Sequence, residues 1–398
     1  MISISNLVFR MKKNAVGLAT IAILSSMVLV TLVGAASIYA GKKDYLASAA
    51  PHEYSVTGTN VDVTSTQKVM DDFLSQSGNQ VNEKAEVTYL YFGIKEQEKN
   101  KLTIFPENER KVLPKSIFLV FSQATYKQLT GKDLNLASNQ VGLYSKSKTL
   151  KDQKSLSFNG QTYQIQDDLN DFIKGKVPNI FTIIVSDYNY LVVPDMDDFK
   201  ESIKGTATTQ ATYVGVNVKN PTHDAKKNSD LLDQMTDKET QQLAGQNTGV
   251  SQSYLTANSQ YDTEGMLNGF VGGTLFIGIF LSIIFMLGTV LVIYYKQISE
   301  GYEDRERFVI LQKIGLDDLQ VKQTIRKQVL TVFFLPLIFA FIHLAFAYHM
   351  LSLIVRIIGV FNPSLMLVVT IIVCGVFFLA YVLVFALTSR SYRRIVSM

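Results

Sequence analysis

The sequence predicts an α-helical integral membrane protein with four transmembrane helices and a mixed α/β extracellular domain inserted between helices 1 and 2. Three observations predict this fold. The 398-residue chain is 47% hydrophobic and has a positive mean hydropathy, which is typical of a membrane protein that carries a polar domain. Four long stretches contain no Asp, Glu, Lys or Arg. A polar stretch long enough to form its own core, residues 42–265, separates the first two.

The charge-free stretches set the number of spans. They are Asn14–Gly41, Gly265–Tyr295, Gln328–Val355 and Ile357–Ser389. Each can cross about 30 Å of hydrocarbon, because a helix rises roughly 1.5 Å per residue. We therefore place the four transmembrane helices at residues 14–41, 266–295, 329–355 and 364–388.

The first stretch has an alternative interpretation as a cleaved signal peptide. Arg10, Lys12 and Lys13 precede it, and small residues near Ala40 suit a peptidase. Its apolar part is longer than the usual signal core of about 7–15 residues, which favours an uncleaved span. Residues 1–13 then form a basic amphipathic segment on the cytoplasmic membrane surface.

Charge sets the expected orientation. Residues 296–328 carry 7 Lys and Arg, whereas the larger insert carries 24 together with 28 acidic residues. Because basic residues in short loops stay inside and long domains translocate largely regardless of charge, both termini and residues 296–328 are predicted to be cytoplasmic. Residues 389–398 form a cytoplasmic tail, 356–363 a short outer loop, and the insert lies outside.

The insert shows signals for both strands and helices. Its β-branched and aromatic stretches predict strands at Tyr54–Val63, Val87–Ile94, Ser116–Phe121, Ile180–Val185, Tyr190–Val193 and Ala211–Val218. Capped helical patterns predict helices at Gln67–Leu74, at Gln123–Leu129 between Ser122 and Gly131, and at Met196–Lys204 between Asp195 and Gly205. Residues 220–265 lead back to the membrane as a helical or a flexible stalk.

Small residues in the first two spans predict close helix contacts. Those of the first span are Gly17, Ala19, Gly34, Ala35, Ala36 and Ala40. The second span opens with Gly269, Gly272, Gly273 and Gly278, of which Gly269 and Gly273 form a small-xxx-small pair. The third span contains Pro336, which frees a backbone carbonyl.

The motifs that are missing exclude most enzyme classes. The sequence has no G-x-x-x-x-G-K-[ST] phosphate loop, no G-x-S-x-G, no H-E-x-x-H and no Cys/His cluster with metal spacing. We therefore expect no catalytic residues, cofactor, metal or nucleic-acid partner. His343 and His349 in the third span admit a proton or metal path, but packing or placement at the membrane interface is the favoured interpretation because no intramembrane acid accompanies them. The single cysteine, Cys374, lies in the last span, so the insert has no disulfide to form, as in many bacterial surface proteins.

Residues 296–328 have the pattern of two helices. Glu303 and Arg307 form an i,i+4 pair beside the apolar stripe of Phe308, Leu311 and Ile314, which predicts a short amphipathic helix. Gly315 is suited to end that helix and Asp317 to cap the next one. A surface helix joined to a membrane helix is suited to pass movement from a docked partner into the membrane. An ordinary cytoplasmic loop is the alternative.

This segment carries a family resemblance. Residues 298–315 (ISEGYEDRERFVILQKIG), following the apolar stretch Gly273–Tyr295, resemble the C-terminal domain of FtsX-like ABC permeases, most closely the bacitracin-resistance-type (BceB-like) permeases of Gram-positive bacteria. Residues 6–19 (NLVFRMKKNAVGLA) are similar to the segment that precedes the large external domain of those permeases. The resemblance covers both ends of the chain, and the insert by position and size.

The resemblance implies a function. It implies a type VII ABC permease subunit in a bacterial, multi-pass cell membrane, whose partners are a cytoplasmic ABC ATPase, a second permease half or second copy, and in this subfamily a sensor histidine kinase. The ATPase is expected to dock on Arg305, Glu306, Arg307, Phe308, Leu311 and Gly315. The external domain is expected to engage an antimicrobial peptide such as bacitracin, for resistance and sensing by mechanotransmission.

Two departures from the family pattern leave alternatives open. Relatives of this subtype have ten spans, so four correspond to the second half, and the chain is a fragment, a split gene product or a shorter relative that dimerises. Relatives often carry an acid eight residues before the loop glycine, where this chain has Arg307 after Glu306.

The alternative functions are an FtsX-type adaptor that regulates a cell-wall enzyme, an efflux permease for lipoproteins or small molecules, and a secondary transporter. The acidic cluster of the insert, formed by Asp195, Asp197, Asp198 and Glu201, is suited to attract cationic peptides, but a solvated helix face is favoured.

Overall fold

The computed structural model describes residues 15–107, 109, 114–178, 187–220, 224–244, 253–313, 318–357 and 362–396. The chain divides into two compact units. The membrane unit comprises Met1–Lys42 and Asn268–Met398, and the inserted domain comprises Lys43–Leu267. The predicted strand at Ile180–Val185 and the predicted basic segment at residues 1–13 lie outside the described residues.

The described elements are given in chain order. The helices are α1 (Ala15–Ala40), α2 (Lys42–Ala49), α3 (Val63–Ser77), α4 (Gln123–Thr130), α5 (Lys148–Lys151), α6 (Met196–Ser202), α7 (Ala225–Ala244), α8 (Gln260–Lys313), α9 (Asp318–Ile357) and α10 (Pro363–Val396). The strands are β1 (Tyr54–Thr59), β2 (Val81–Glu98), β3 (Lys101–Ile104), β4 (Ser116–Ser122), β5 (Gln140–Ser145), β6 (Ser155–Phe158), β7 (Gln161–Asp168), β8 (Tyr188–Val193), β9 (Thr208–Val218) and β10 (Tyr254–Ser259).

Four described helices are long and apolar enough to cross a membrane. Their apolar parts are Ala15–Ala40, Gln260–Ser299, Phe333–Arg356 and Pro363–Thr388. With the α/β domain between the first two, this confirms the predicted fold class.

Helix α1 packs against the other three membrane helices. It approaches α8 so closely at Gly278 that a Cβ there would collide with the Cβ of Ala35. One turn further on, Ser282 Oγ lies 3.1 Å from Thr31 Oγ1. Small and hydroxyl-bearing residues allow this close backbone approach within a membrane.

The predicted pair Gly269 and Gly273 does not make the close contact in α8. A Cβ built on either glycine would have no described heavy atom within 4 Å. Helix spacing alone identifies which small residues share a face, but the partner helix decides which of them is used.

Helix α9 continues through Pro336. Proline displaces the carbonyls of the preceding turn, which then need other partners. The hydroxyl of Tyr381, a fully buried residue of α10, donates to the carbonyl of Phe333 at 2.9 Å. The tyrosine thus stabilises the turn before Pro336.

The inserted domain is built on one sheet whose strand order is β10-β1-β9-β2-β3-β6-β7-β5-β8-β4, with a further pairing between β2 and β4. That pairing closes seven strands, from β2 to β4, into a ring. Every strand of the ring contributes to one apolar cluster that includes Phe92, Phe118 and Phe158. This cluster is therefore the interior of the ring, and Phe199 of α6 packs with it.

Two further clusters flank the ring. Residues that alternate with the interior positions, such as Leu119 and Tyr190, pack on α4 and on the segment Leu169–Val177. Strands β1, β9 and β10 form a flank covered by α3 and α7, where Leu232 of α7 is buried with Phe73 and Val214. Residues 225–244 are thus a helix packed on the sheet.

The predicted caps at Ser122, Gly131 and Asp195 are confirmed, whereas α6 ends at Ser202 with Ile203, not Gly205, as its C-cap. Ser122 Oγ accepts from the backbone N–H of Thr125, and Gly131 takes a left-handed conformation with φ of 73° after α4. Asp195 accepts from the N–H groups of Asp197 and Asp198 at the start of α6. Local side-chain chemistry decides these ends, so they are visible in the sequence.

Candidate coupling segment

The predicted coupling segment begins inside a membrane helix. The charge-free stretch of α8 ends at Tyr295, and the helix continues to Lys313, a distance of about 27 Å at 1.5 Å per residue. The expected separate short helix is therefore an extension of the second span. The residues after Tyr295 are mainly good helix formers, and the single Gly301 costs only about 1 kcal/mol, which is not enough to end the helix.

The helix brings most of the predicted docking residues onto one extension. Arg305 is exposed, and the spacing of three from Arg305 to Phe308 to Leu311 places these positions along one side. The backbone of Glu306 and Arg307 is helical as well. The side chains at 306–311 and the whole of Gly315 lie outside the described residues, as does Asp317.

The start of this segment contains a buried amide that sequence reasoning missed. Gln297 is only 7% exposed, and among the described residues neither its Oε1 nor its Nε2 has a hydrogen-bond partner. The side chain of the preceding Lys296 lies against Gly17 of α1, with Nζ 3.6 Å from the position of a Cβ on that glycine. A glutamine among charged residues gives no signal that it is buried.

The acidic cluster of the inserted domain has structural uses. Asp195 caps α6 with bonds of 2.8 and 3.0 Å, and exposed Glu201 pairs with Lys204 at 2.7 Å. Such exposed pairs contribute little to stability. These contacts fit the favoured interpretation of a solvated helix face.

A concave surface lies elsewhere in the inserted domain, between α7 and the start of α8. This groove of about 710 Å³ is lined by Asp224, Ala225, Lys226, Lys227, Asp230, Leu231, Gln234 and Tyr261. Lys226 and Asp230 pair at 3.2 Å, so part of its charge is already neutralised. No sequence pattern indicated this groove.

The inserted domain also buries a histidine. His52 is 3% exposed, and its Nδ1 lies 2.7 Å from the hydroxyl of Tyr213. The ring covers Gly215, where any Cβ would collide with it. Burial lowers the pKa of His52, and the charge of Glu83 opposes that shift.

The third-span histidine His343 contacts the first span. Its Nδ1 lies 3.1 Å from Ser26 Oγ. Among the residues that the structure describes, no group of three or more His, Cys, Asp or Glu side chains is arranged to hold a metal ion. The observed contact is helix packing.

Comparison with known proteins gives three curated relatives, all from Bacillus subtilis strain 168. The chain is 35% identical to the ABC transporter permease protein YxdM over 79 residues, which are 20% of this chain and 13% of that protein. It is 30% identical to the uncharacterized ABC transporter permease YvcS over 122 residues, 31% of this chain and 18% of that protein. It is 28% identical to the bacitracin export permease protein BceB over 138 residues, 35% of this chain and 19% of that protein.

The other comparisons add little. No family model matches the chain. A solved structure from Bacillus anthracis aligns with 44% of this chain and 91% of its own, at a TM-score of 0.25 and 11% identity, which is too low to carry an argument.

The matches thus span less than a fifth of each curated relative. They confirm the resemblance to BceB-like permeases. Over these segments the chain is similar to ABC transporter permeases, one of which is the bacitracin export permease BceB.

Proposed function

We propose that this chain is the membrane permease subunit of an ABC transporter for resistance to, and sensing of, bacitracin-like antimicrobial peptides. A separate cytoplasmic ATPase hydrolyses ATP, and the permease converts that work into movement of the inserted domain outside the cell. The similarity to the bacitracin export permease over 138 residues carries the proposal. The missing phosphate loop supports the assignment of ATP hydrolysis to another subunit.

The helix bounds support the proposed coupling route. Arg305, Phe308 and Leu311 lie on the extension of α8, whose apolar part is itself a span. Displacement of the extension by a docked ATPase is transmitted along an unbroken helix. Both termini and the extension are cytoplasmic in this scheme, and a sensor histidine kinase is the expected signalling partner.

Growth in bacitracin tests the proposal. The chain is deleted in its native host, which we expect to be Gram-positive, and restored as wild type, as a Phe308→Asp/Leu311→Asp variant, or as Tyr302→Asp. Tyr302 is 58% exposed on the same extension and is the matched control for an added charge. We expect the wild type and Tyr302→Asp to restore resistance and the double variant to fail at equal membrane abundance. Deletion without loss of resistance contradicts the assignment.

A further inference from the structure

The exposed side chains of the membrane helices are mostly apolar, as lipid contact requires. On α8 and α10 the large ones within the spans include Phe276, Phe280, Ile283, Leu287, Leu291, Leu367, Ile371, Leu379 and Leu383. Hydrocarbon offers no hydrogen bonds, so these positions need no further partner. They define the ordinary lipid-facing surface of this unit.

His343 differs from this pattern. Its side chain is exposed on α9. It lies about 18 Å along the helix from Val355, near the middle of the charge-free stretch Gln328–Val355. Its contact Ser26 lies about 17 Å from Ala15 and is also near the middle of its span. Ionisable side chains at this depth generally face protein or a water-filled cavity.

The hydrogen bonds indicate which ring nitrogen of His343 is the donor. Ser26 Oγ donates its only hydrogen to the carbonyl of Ala22 at 2.7 Å. In the 3.1 Å contact with His343, Ser26 is therefore the acceptor and Nδ1–H the donor. A neutral imidazole with its proton on Nδ1 has an unprotonated Nε2, which is a hydrogen-bond acceptor. The hydrocarbon at this depth offers no hydrogen-bond donor to it.

The neighbouring surface is suited to another helix. Positions three or four residues apart on a helix are neighbours, which places Phe339 and Phe346 beside His343 and Ile23 beside Ser26. These side chains are 46%, 81% and 51% exposed. Together with Met27, they form an apolar face with one polar acceptor at its centre; we call it the α1/α9 face.

We propose that the α1/α9 face docks a transmembrane helix from a second permease half, and that this helix donates a hydrogen bond from a hydroxyl, amide or indole N–H to Nε2 of His343. The inference rests on the proposed function, since it assumes a permease assembled from two halves. The matched residues make up 35% of this chain but only 19% of BceB, so the relative holds more sequence than this chain supplies. A protein helix is also the occupant that brings a donor to this depth.

Photo-cross-linking in native membranes tests the surface. A photoreactive phenylalanine analogue replaces Phe346 on the α1/α9 face, or Leu379 on α10, which is 68% exposed and is the matched lipid-facing control. We expect position 346 to cross-link to a transmembrane segment that carries a donor side chain within one turn of the attachment point. A cross-link yield no higher than at 379, a second copy of this chain as the product, or a segment without a donor would each overturn the proposal.

Variants of the acceptor test the chemistry. Loss of one interhelical hydrogen bond weakens association by about threefold to tenfold, so we expect His343→Leu to lower the yield at 346 by that factor. His343→Gln retains both a hydrogen-bond donor and an acceptor, so we expect it to keep most of the wild-type cross-link yield at position 346. Ser26→Ala leaves the imidazole of His343 in place, so we expect it to lower the cross-link yield at position 346 by less than His343→Leu does. An unchanged yield in His343→Leu would refute the role of His343.

Copurification and resistance assays on the same cells distinguish a failure of this inference from a failure of the proposed function. If the ATPase copurifies and bacitracin resistance persists while position 346 gives no specific cross-link, only the docking surface is wrong. If neither ATPase nor resistance is found, the proposed function fails first.

Discussion

The inserted domain and the membrane unit bury their apolar side chains in opposite ways. Nearly all of the largest fully buried side chains among the described residues belong to the inserted domain, with Leu29 and Tyr381 as exceptions. Most exposed large hydrophobic side chains belong to the membrane unit. The inserted domain therefore supplies its own stability, whereas the membrane unit depends on lipid and on neighbouring helices. The two regions must respond differently to the same substitution.

The largest expected effect is a cavity inside the strand ring. Phe118→Ala removes a fully buried ring that stacks on Phe92 at 5.7 Å and meets Phe158 edge-on at 5.3 Å. We expect the free energy of unfolding of the inserted domain to fall by about 3–5 kcal/mol. Urea unfolding of the purified chain, followed by tyrosine fluorescence because the chain has no tryptophan, measures it.

Phe276→Ala is the matched change in the membrane unit. Phe276 is 69% exposed within a span, so its loss leaves the urea midpoint of the inserted domain unchanged. An equal shift for both variants would break the contrast between the two regions.

The next effect concerns the close contact in the membrane unit. Gly278→Leu forces α1 and α8 apart, because no Cβ fits against Ala35. Overpacking of this kind costs about 1–3 kcal/mol. Circular dichroism during a mixed-detergent unfolding titration measures it. Gly272→Leu changes helix propensity by the same amount, but a Cβ at Gly272 meets no described atom within 4 Å. We therefore expect Gly272→Leu to leave the stability of the membrane unit unchanged.

A smaller effect is expected at the cap of α6. Asp195→Ala removes the acceptor for two backbone N–H groups and is expected to lower the free energy of unfolding of the inserted domain by about 1 kcal/mol. Asp195→Asn keeps the acceptor and serves as the control. If both variants lose the same amount, charge rather than capping is the cause. Resistance to bacitracin is expected to persist in both, since the cap is a structural contact.

The smallest effect is a pH dependence from His52. Because burial lowers its pKa below the ordinary value of 6.5, folding favours the neutral ring. This contribution is fully present above pH 6.5 and is lost as the pH falls from there toward the lowered pKa. We expect the urea midpoint of the inserted domain to fall between pH 7.5 and 5, and His52→Asn to reduce that slope. A slope unchanged by the substitution would assign it to other groups.

The sequence predicts features that depend on nearby residues. The caps at Ser122 and Asp195 and the four apolar helices are of this kind, because hydrogen-bonding groups and hydrophobic runs lie within one element. The four-residue strands β3 and β6 were not predicted, since their pairing partners are distant and each is too short for a pattern. The ring closure between β2 and β4 is likewise invisible without the fold.

The candidate site follows the same division. The helix pattern around Phe308 and Leu311 is local, and the structure extends it into a continuous helix with the second span. The use of Gly278 in place of Gly269, and the burial of Gln297, depend on where α1 lies. The exposure of His343 could not be predicted, because the residues on either side of it in the span are apolar and do not show which face of the helix is covered.

The most direct test of the coupling account is copurification with ATP hydrolysis. The tagged full chain is isolated from its native membranes, and its partners are identified by mass spectrometry while ATPase activity is assayed. We expect a protein with a G-x-x-x-x-G-K-[ST] loop to copurify with the wild type and with Tyr302→Asp, and to be lost with Phe308→Asp/Leu311→Asp. An ATPase retained by the double variant, or absent from the wild type, would contradict it.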